Sequence, residues 1–372
     1  MNLAHAFNRR PVQPGRVAIL RGDRLGDLVL TTPLIRALAA AHWQVTVIGR
    51  RDFLPVLENN PHVTAALALE DIAPRWPQGW TALARYLRHA RFDAILIPQA
   101  APPPLVWASA LSGAPYRLVL YGGKWASLTL HERVPPQLAE GSGHYARQVL
   151  SLGGLLGART DDCRPEIFLR DSELSAMRQA LREHFGECVR PLIVLHAGGG
   201  HLRSNQRSSA RNLPVKEYAR LTGLLLDETE CRVVVTGGQS ESDLLKPCWT
   251  PWNQHPRCWY AVGSLGLRPL AALIHLSDLT IVGSTGPLHL ASAVGATTLS
   301  LFSVAPGVNA TAWGNQGGIG HVIECPPAHA TATPAISPSH RNLPAVISAD
   351  YFFARTQEIL RDAPARADSP TR

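Results

Sequence analysis

Short, nearly continuous apolar runs alternate with longer segments of helical period along this chain. The runs are Val17–Leu20, Val45–Gly49, Phe92–Pro98, Arg117–Leu120, Leu192–Leu195, Arg232–Thr236, Leu279–Val282 and Thr298–Phe302. Runs this short, bounded by turn residues, read as strands buried on both faces, as in parallel sheets. Helical periods fall at 28–40, 53–59, 80–90, 105–111, 144–156, 172–185, 215–227, 268–276, 288–294 and 349–360. Pro33 lies inside the first of these and either kinks it or marks its real start. Ser172 is placed to cap the sixth. Strand, loop, helix and next strand fit in about thirty residues, which is a βαβ unit.

The character of the chain changes at 158–172 (ARTDDCRPEIFLRDS), and there the interdomain connection is expected. Beyond it the strand–loop–helix order restarts. The pattern predicts an α/β protein of two doubly wound, Rossmann-like domains, one over about 16–165 and one over about 172–345. A Pro/Ala/Thr/Ser-rich stretch at 326–344 precedes a last helix within 346–363. Open parallel sheets bind ligands beyond the carboxyl ends of their strands. The loops to inspect are therefore 21–27, 196–211, 237–241 and 283–289.

The last of these loops carries the most legible chemistry. The segment SDLTIVGSTGPLHLASAVGATTLSLF reads as strand, glycine turn, helix and strand. Pro287 suits a first helical turn, and Ser284 or Thr285 can cap it. Such a turn aims backbone N–H groups and a positive dipole end at one point, a site for an anion. We read it as the dock of a nucleotide diphosphate at Ser284, Thr285 and Gly286, with His289 one turn in.

Composition narrows the partners. The 372 residues are 45% hydrophobic and 17% charged, which is globular. No apolar run approaches the roughly 18 residues of a membrane span, and the start lacks the apolar core of a secretory signal. Six cysteines without a C-x-x-C pair suit reduced cytosolic thiols. A net charge of +8 favours an acidic partner. No basic run or nucleic-acid motif accompanies it, so a phosphorylated substrate or an anionic membrane face ranks above nucleic acid.

Four motifs in order, ILRGDRLGDLVLTTPLIRAL, LHAGGG with ARNLPVKEYARL, VVVTGGQSESD and DLTIVGSTGPLHLASAVGATTLSLF, resemble the lipopolysaccharide heptosyltransferases of glycosyltransferase family 9. The resemblance spans most of 16–325. It implies the GT-B fold, with two Rossmann-like domains facing a central cleft, the acceptor domain first and the nucleotide-sugar domain second. The last helix would pack back on the first domain. It implies inverting transfer without a metal or other cofactor, from a nucleotide-sugar, typically ADP-heptose, to a sugar hydroxyl of a lipopolysaccharide-core or other anionic glycan acceptor. The protein would be cytoplasmic, at the inner face of the inner membrane. Asp27 of the Gly26-Asp27 pair matches the family's catalytic base, with Arg24 and Gly26 on the acceptor-side loop. Arg211 matches the basic residue that holds the donor phosphate. Glu241 would meet the ribose, the backbone at Leu265 the adenine, and Ser284, Thr285, Gly286 and His289 the diphosphate. The chain departs from the pattern twice. Many relatives have Asp where Ser284 stands, and Lys and Trp where Arg211 and Leu213 stand. Arg still pairs with phosphate in a forked geometry. The missing Asp leaves another nucleotide-sugar donor open; the alternatives are a family-9-like transferase with another nucleotide-sugar or acceptor, and a nucleotide-sugar epimerase on the same fold.

The plainer readings stand beside these. An acid at a helix start gains from the dipole alone, and that setting should lower the pKa of Asp27. Asp23 reads as structural, paired with Arg21 or Arg24. Arg203 and Arg207 share the polar loop with Arg211, and Arg207 reads as solvated. Gly198 to Gly200, including Gly199, would let the backbone bend around the sugar-phosphate. Trp107, Trp125 and Trp313 read as core or rim rather than sugar platforms.

Overall fold

The computed structural model describes residues 13–100, 102–121, 132–133, 143–187, 189–199, 213–304, 307–325 and 348–362. Residues 1–168 and 169–372 form two compact units.

The first unit is built on a six-stranded parallel sheet in the order β3-β2-β1-β4-β5-β6. Its strands are β1 (Arg16–Arg21), β2 (Gln44–Gly49), β3 (Ala65–Ala68), β4 (Ala94–Ala100), β5 (Tyr116–Tyr121) and β6 (Glu132–Arg133). Its helices are α1 (Leu25–Val29), α2 (Thr32–Ala40), α3 (Leu69–Ile72), α4 (Trp80–Ala90), α5 (Pro103–Ala110) and α6 (Tyr145–Gly154). Every residue of β1 after Arg16 is buried, as a central strand covered on both faces must be. Val17 is in register with Val45 on one side and Ala94 on the other. The strand order reverses direction between β1 and β4, so the loops after these two strands flank the crevice of the sheet. Pro33 marks a helix start rather than a kink. The chain breaks after α1, Thr31 and Thr32 turn their hydroxyls onto the carbonyls of Asp27 and Val29 at 2.8 Å each, and α2 begins with Pro33 in its first turn.

The second unit repeats the topology in the order β12-β11-β10-β7-β8-β9. The strands are β7 (Leu192–His196), β8 (Arg232–Thr236), β9 (Cys258–Tyr260), β10 (Leu279–Gly283), β11 (Thr298–Ser303) and β12 (Gly320–Cys325). The helices are α7 (Asp171–Phe185), α8 (Val215–Glu228), α9 (Ser242–Trp249), α10 (Leu267–Leu276), α11 (Gly286–Ala293), α12 (Ala310–Trp313) and α13 (Ala349–Asp362). Here the reversal lies between β7 and β10.

Two expectations about helices are corrected. Ser172 does not cap α7. The helix starts one residue earlier, with Arg170 as N-cap, because the Glu173 carboxylate accepts the Arg170 amide at 2.7 Å. That carboxylate is itself gripped by both arms of Arg268 on α10, at 2.5 Å each. The last helix, expected on the first domain, packs instead on α8 of its own unit. Ala349, Phe352 and Ile359 join the core that holds Tyr218, Leu221 and Leu225. Polar contacts fix the docking: Glu217 accepts the Ala349 amide at 2.8 Å, and Arg220 pairs with Asp350 at 2.8 Å. A carboxylate at the helix start also suits its dipole. Among the described residues no helix is long and apolar enough to cross a membrane.

Candidate active site

In the first unit the site is built where β1 runs out. Arg21 is the last residue of that strand, and its side chain is fully buried. A guanidinium in such a place must find charge and hydrogen bonds or cost several kcal/mol, about the penalty for an unpaired buried ion. Arg21 finds both. Nη1 donates to the Pro98 carbonyl at the end of β4. Nη2 donates to the Asp27 carbonyl and to the Tyr145 hydroxyl, each at 2.9 Å. Tyr145, from the first turn of α6, donates its own hydroxyl hydrogen bond to Pro98 O at 2.9 Å. Two carboxylates share the cation, Asp23 Oδ1 at 3.2 Å from Nε and Asp27 Oδ1 at 3.4 Å from Nη2. Gln99, with its amide nitrogen turned toward Asp23, donates to both Asp23 oxygens at 2.8 and 2.9 Å. Arg21 is thus the partner of Asp23, while Arg24 is exposed and Gly26 is buried in α1.

This packing reverses the expectation for Asp27. Burial pushes its pKa up, and the opposing pull of Arg21 and Arg24 does not cancel that. A helix of only five residues, α1, contributes little dipole. Burial also pushes Asp23 up to about 6, against the pull of Arg21 and with a further push from Asp27. Both acids remain partly open to solvent, with 28% of the Asp23 and 16% of the Asp27 side chain exposed. A carboxylate held by its backbone and by a buried cation, and still reachable from outside, is equipped to take a proton.

The second unit gathers three loops at one edge, because β7, β8 and β10 are adjacent and parallel. Glu241 ties two of them together. Its Oε1 accepts the Gly199 amide at 2.8 Å and its Oε2 the Gly238 amide at 3.0 Å, with only 6% of the residue exposed. A Cβ at Gly198 would come within 2.2 Å of Glu241 Oε2. The glycine run is therefore needed at 198 for the approach of this carboxylate. Glu241, expected to meet a ribose, is engaged by the loops on both sides of it. Replacing it with Ala would leave two loop amides without their acceptor. We expect Glu241→Ala to cost about 2–4 kcal/mol of stability, the scale for two such losses, measured by urea denaturation. His196, at the end of β7, bonds Thr236 at 2.9 Å. Burial lowers its pKa to about 4, against the pull of Glu241, so its ring is neutral near pH 7.

The bend after β10 leads directly into α11. Thr285 is the N-cap residue, but neither it nor Ser284 caps the helix through a side chain. Thr285 turns back on the Gly283 carbonyl, its amide at 2.8 Å and its hydroxyl at 3.4 Å. Ser284, Thr285 and Gly286 are half-buried, as is Leu265 in the loop before α10. His289 lies in α11, 5% exposed, its ring 6.1 Å from that of Trp313. Arg203, Arg207, Arg211, Gly200 and Trp125 lie outside the described residues. Among the described residues no three His, Cys, Asp or Glu side chains gather in a way that could hold a metal. A cavity of about 470 Å³ lies away from these loops, on α8 and α9 between Lys216, Gly223, Cys248 and Trp252.

Sequence reasoning missed Arg21 as the centre of the first site, along with Tyr145 and Gln99. One signal was available. An arginine that ends a strand reading VAIL, with two aspartates within six residues, is a buried cation with its counter-ions beside it.

The sequence profile of glycosyltransferase family 9 (heptosyltransferase) matches residues 143–333. A protein of Haemophilus influenzae named "Putative glycosyltransferase" is 25% identical over 324 residues, 84% of this chain and 90% of that one. Among solved structures, the glycosyl transferase family 9 protein of Veillonella parvula superposes with a TM-score of 0.74 at 16% identity, covering 96% of this chain and 100% of that one. The ADP-heptose lps heptosyltransferase II of E. coli gives 0.70 at 16% identity, covering 93% and 98%. The likeness runs through both units, and the fold is the two-Rossmann GT-B type.

Proposed function

The chain belongs to glycosyltransferase family 9, and from that membership we propose that it moves heptose from ADP-heptose to a hydroxyl of a lipopolysaccharide-core-type acceptor, with inversion and without a metal. The observation that carries the reading is Asp27, a solvent-reachable carboxylate clamped by a buried arginine at the crevice of the first sheet. In the step we propose, the Asp27 carboxylate removes the acceptor hydroxyl proton. The freed oxygen bonds to C1 of the donor sugar. The bond from C1 to the diphosphate breaks, and its electron pair leaves with ADP. Charge then builds on the departing diphosphate, where backbone N–H groups at the start of α11 and the Arg211 guanidinium would stabilise it. Fixed donors of this kind do the work that a metal does elsewhere.

The choice of heptose draws on the likeness to two E. coli heptosyltransferases. The test is a panel of nucleotide-sugars read by thermal shift, followed by mass spectrometry of product with a lipopolysaccharide-core acceptor. Stabilisation by another donor in place of ADP-heptose would overturn the donor assignment. A sugar isomer formed without any acceptor would identify an epimerase instead. Arg211→Ala is expected to weaken donor binding by about 1.5–3 kcal/mol, the range for a hydrogen bond to a charged group. Titration calorimetry with ADP checks this, and unchanged affinity removes Arg211 from the site.

A further inference from the structure

We propose that the outer face of α4 and α5 in the first unit docks this protein on a bilayer surface bearing anionic phospholipid. The first observation is on α5. Its sequence, PPLVWASA, is apolar but for the buried Ser109, a composition expected of a helix covered on every side. Yet Pro103, Trp107 and the following Leu111, four residues apart on one stripe, are exposed, Trp107 at 38% and Leu111 at 53%. Trp80 of α4 packs edge-on against Trp107, with ring centres 5.5 Å apart.

The second observation is charge. Between residues 72 and 121 the sequence has five arginines and a single acid, Asp93. Asp93 is already engaged by the Arg16 amide at 2.7 Å. Arg85 and Arg88 lie on the exposed stripe of α4, and Arg75 and Arg91 flank that helix, also exposed. None of the four forms an ion pair among the described residues. Elsewhere in the same unit Arg36, Arg51 and Arg164 each sit on a carboxylate. Arg117 closes the end of α5, its Nη1 donating to the Ala110 carbonyl at 2.8 Å. Exposed cations on and around α4, which packs against the helix that carries the exposed tryptophan and leucine, complement anionic headgroups over an acyl boundary. A second copy of this chain would bring the same arginines and no acids to meet them, so charge favours the lipid surface. The proposal gains its purpose from the reading of a membrane-borne glycan acceptor, but its test does not depend on that reading.

The test is co-sedimentation of the full chain with vesicles of phosphatidylglycerol and phosphatidylethanolamine, against vesicles of phosphatidylcholine alone. Binding is expected to the anionic vesicles only, and to fall as salt rises. Trp107→Ser with Leu111→Ser, and separately Arg85→Glu with Arg88→Glu, should each weaken it by about tenfold or more, with unchanged thermal melting. A chain that stays in the supernatant, or variants that bind like the parent, overturns the proposal. So does a dimer in solution that the Trp107/Leu111 pair disperses without any vesicle binding. Transfer to a soluble acceptor, assayed in parallel, keeps the two readings apart. Vesicle binding without transfer counts against the enzymatic proposal alone, and transfer without vesicle binding against this one alone.

Discussion

Asp27→Asn is expected to lower sugar transfer by about a thousandfold while leaving the fold and donor affinity in place. The size follows from the loss of a general base, which contributes roughly 10²–10⁴-fold. The fold should persist because Arg21 contacts the Asp27 main chain as well as its carboxylate, and Asp23 still faces the cation. The amide of Asn fills the same space but cannot take a proton at neutral pH. Initial rates with saturating donor check this, and turnover near that of the parent would show that another group is the base. The pH profile provides a second check. Burial raises the pKa of Asp27, so the ionised base is lost as pH falls through a value above that of an ordinary aspartate. The acidic limb of kcat/KM should lie correspondingly high in the parent protein. Linkage to stability runs in the opposite direction. Asp23 binds its proton more tightly folded, at about 6, than unfolded, at 3.8. Its contribution therefore favours the folded state below that window, and stability declines as pH rises through it.

Arg21→Met should be the most damaging single change to stability. It keeps much of the side-chain length but leaves Asp23 and Asp27 half-buried with no cation between them. Breaking a buried ion pair by removing one partner costs about 3–5 kcal/mol. The Pro98 carbonyl keeps the Tyr145 hydroxyl, but Tyr145 loses its donor. For a unit of this size the thermal midpoint should fall by roughly 10 °C. Adding Asp23→Asn to Arg21→Met should recover part of the loss, because it removes one stranded charge. If the single variant melts within a degree or two of the parent, solvent reaches the network and the clamp is not structural.

How much was legible in the sequence follows from burial. The central strands are covered on both faces and spell themselves out as apolar runs, as VAIL does in β1 and LIVL in β7. The edge strands do not. β3 reads AALA and is half open to solvent, β9 is only Cys-Trp-Tyr, and β12 begins with Gly and His. No periodicity survives in such short pieces. Helix α9 was hidden by Pro247, which lies inside it and removes a backbone hydrogen bond, so that the sequence there reads as a break. The candidate site was legible as loops, since glycines and aspartates after a strand announce a turn. The partners within each loop were not. Glu241 is marked in the sequence only by resemblance to the family, and the folded chain alone shows the Gly199 and Gly238 amides converging on its carboxylate. Arg21 reads in the sequence only as a possible partner of Asp23, and it is the neighbouring end of β4 and the start of α6 that close over it.

The seat of α13 bears on how the chain is made. Among the described residues, the strands of the first unit are all present once residue 133 has been synthesised. The second has its sheet by residue 325, yet Phe352 and Ile359 still have to be added to the core beside Tyr218 and Leu225. Domains fold as units behind the ribosome, the amino-terminal one first. The nascent second half would therefore carry an uncovered apolar groove along α8 until some forty residues after its last strand have emerged, and a holdase would find it there. Crosslinking of stalled chains that expose residue 325 but not 362 should trap such a helper on α8, and release it once the closing helix is out.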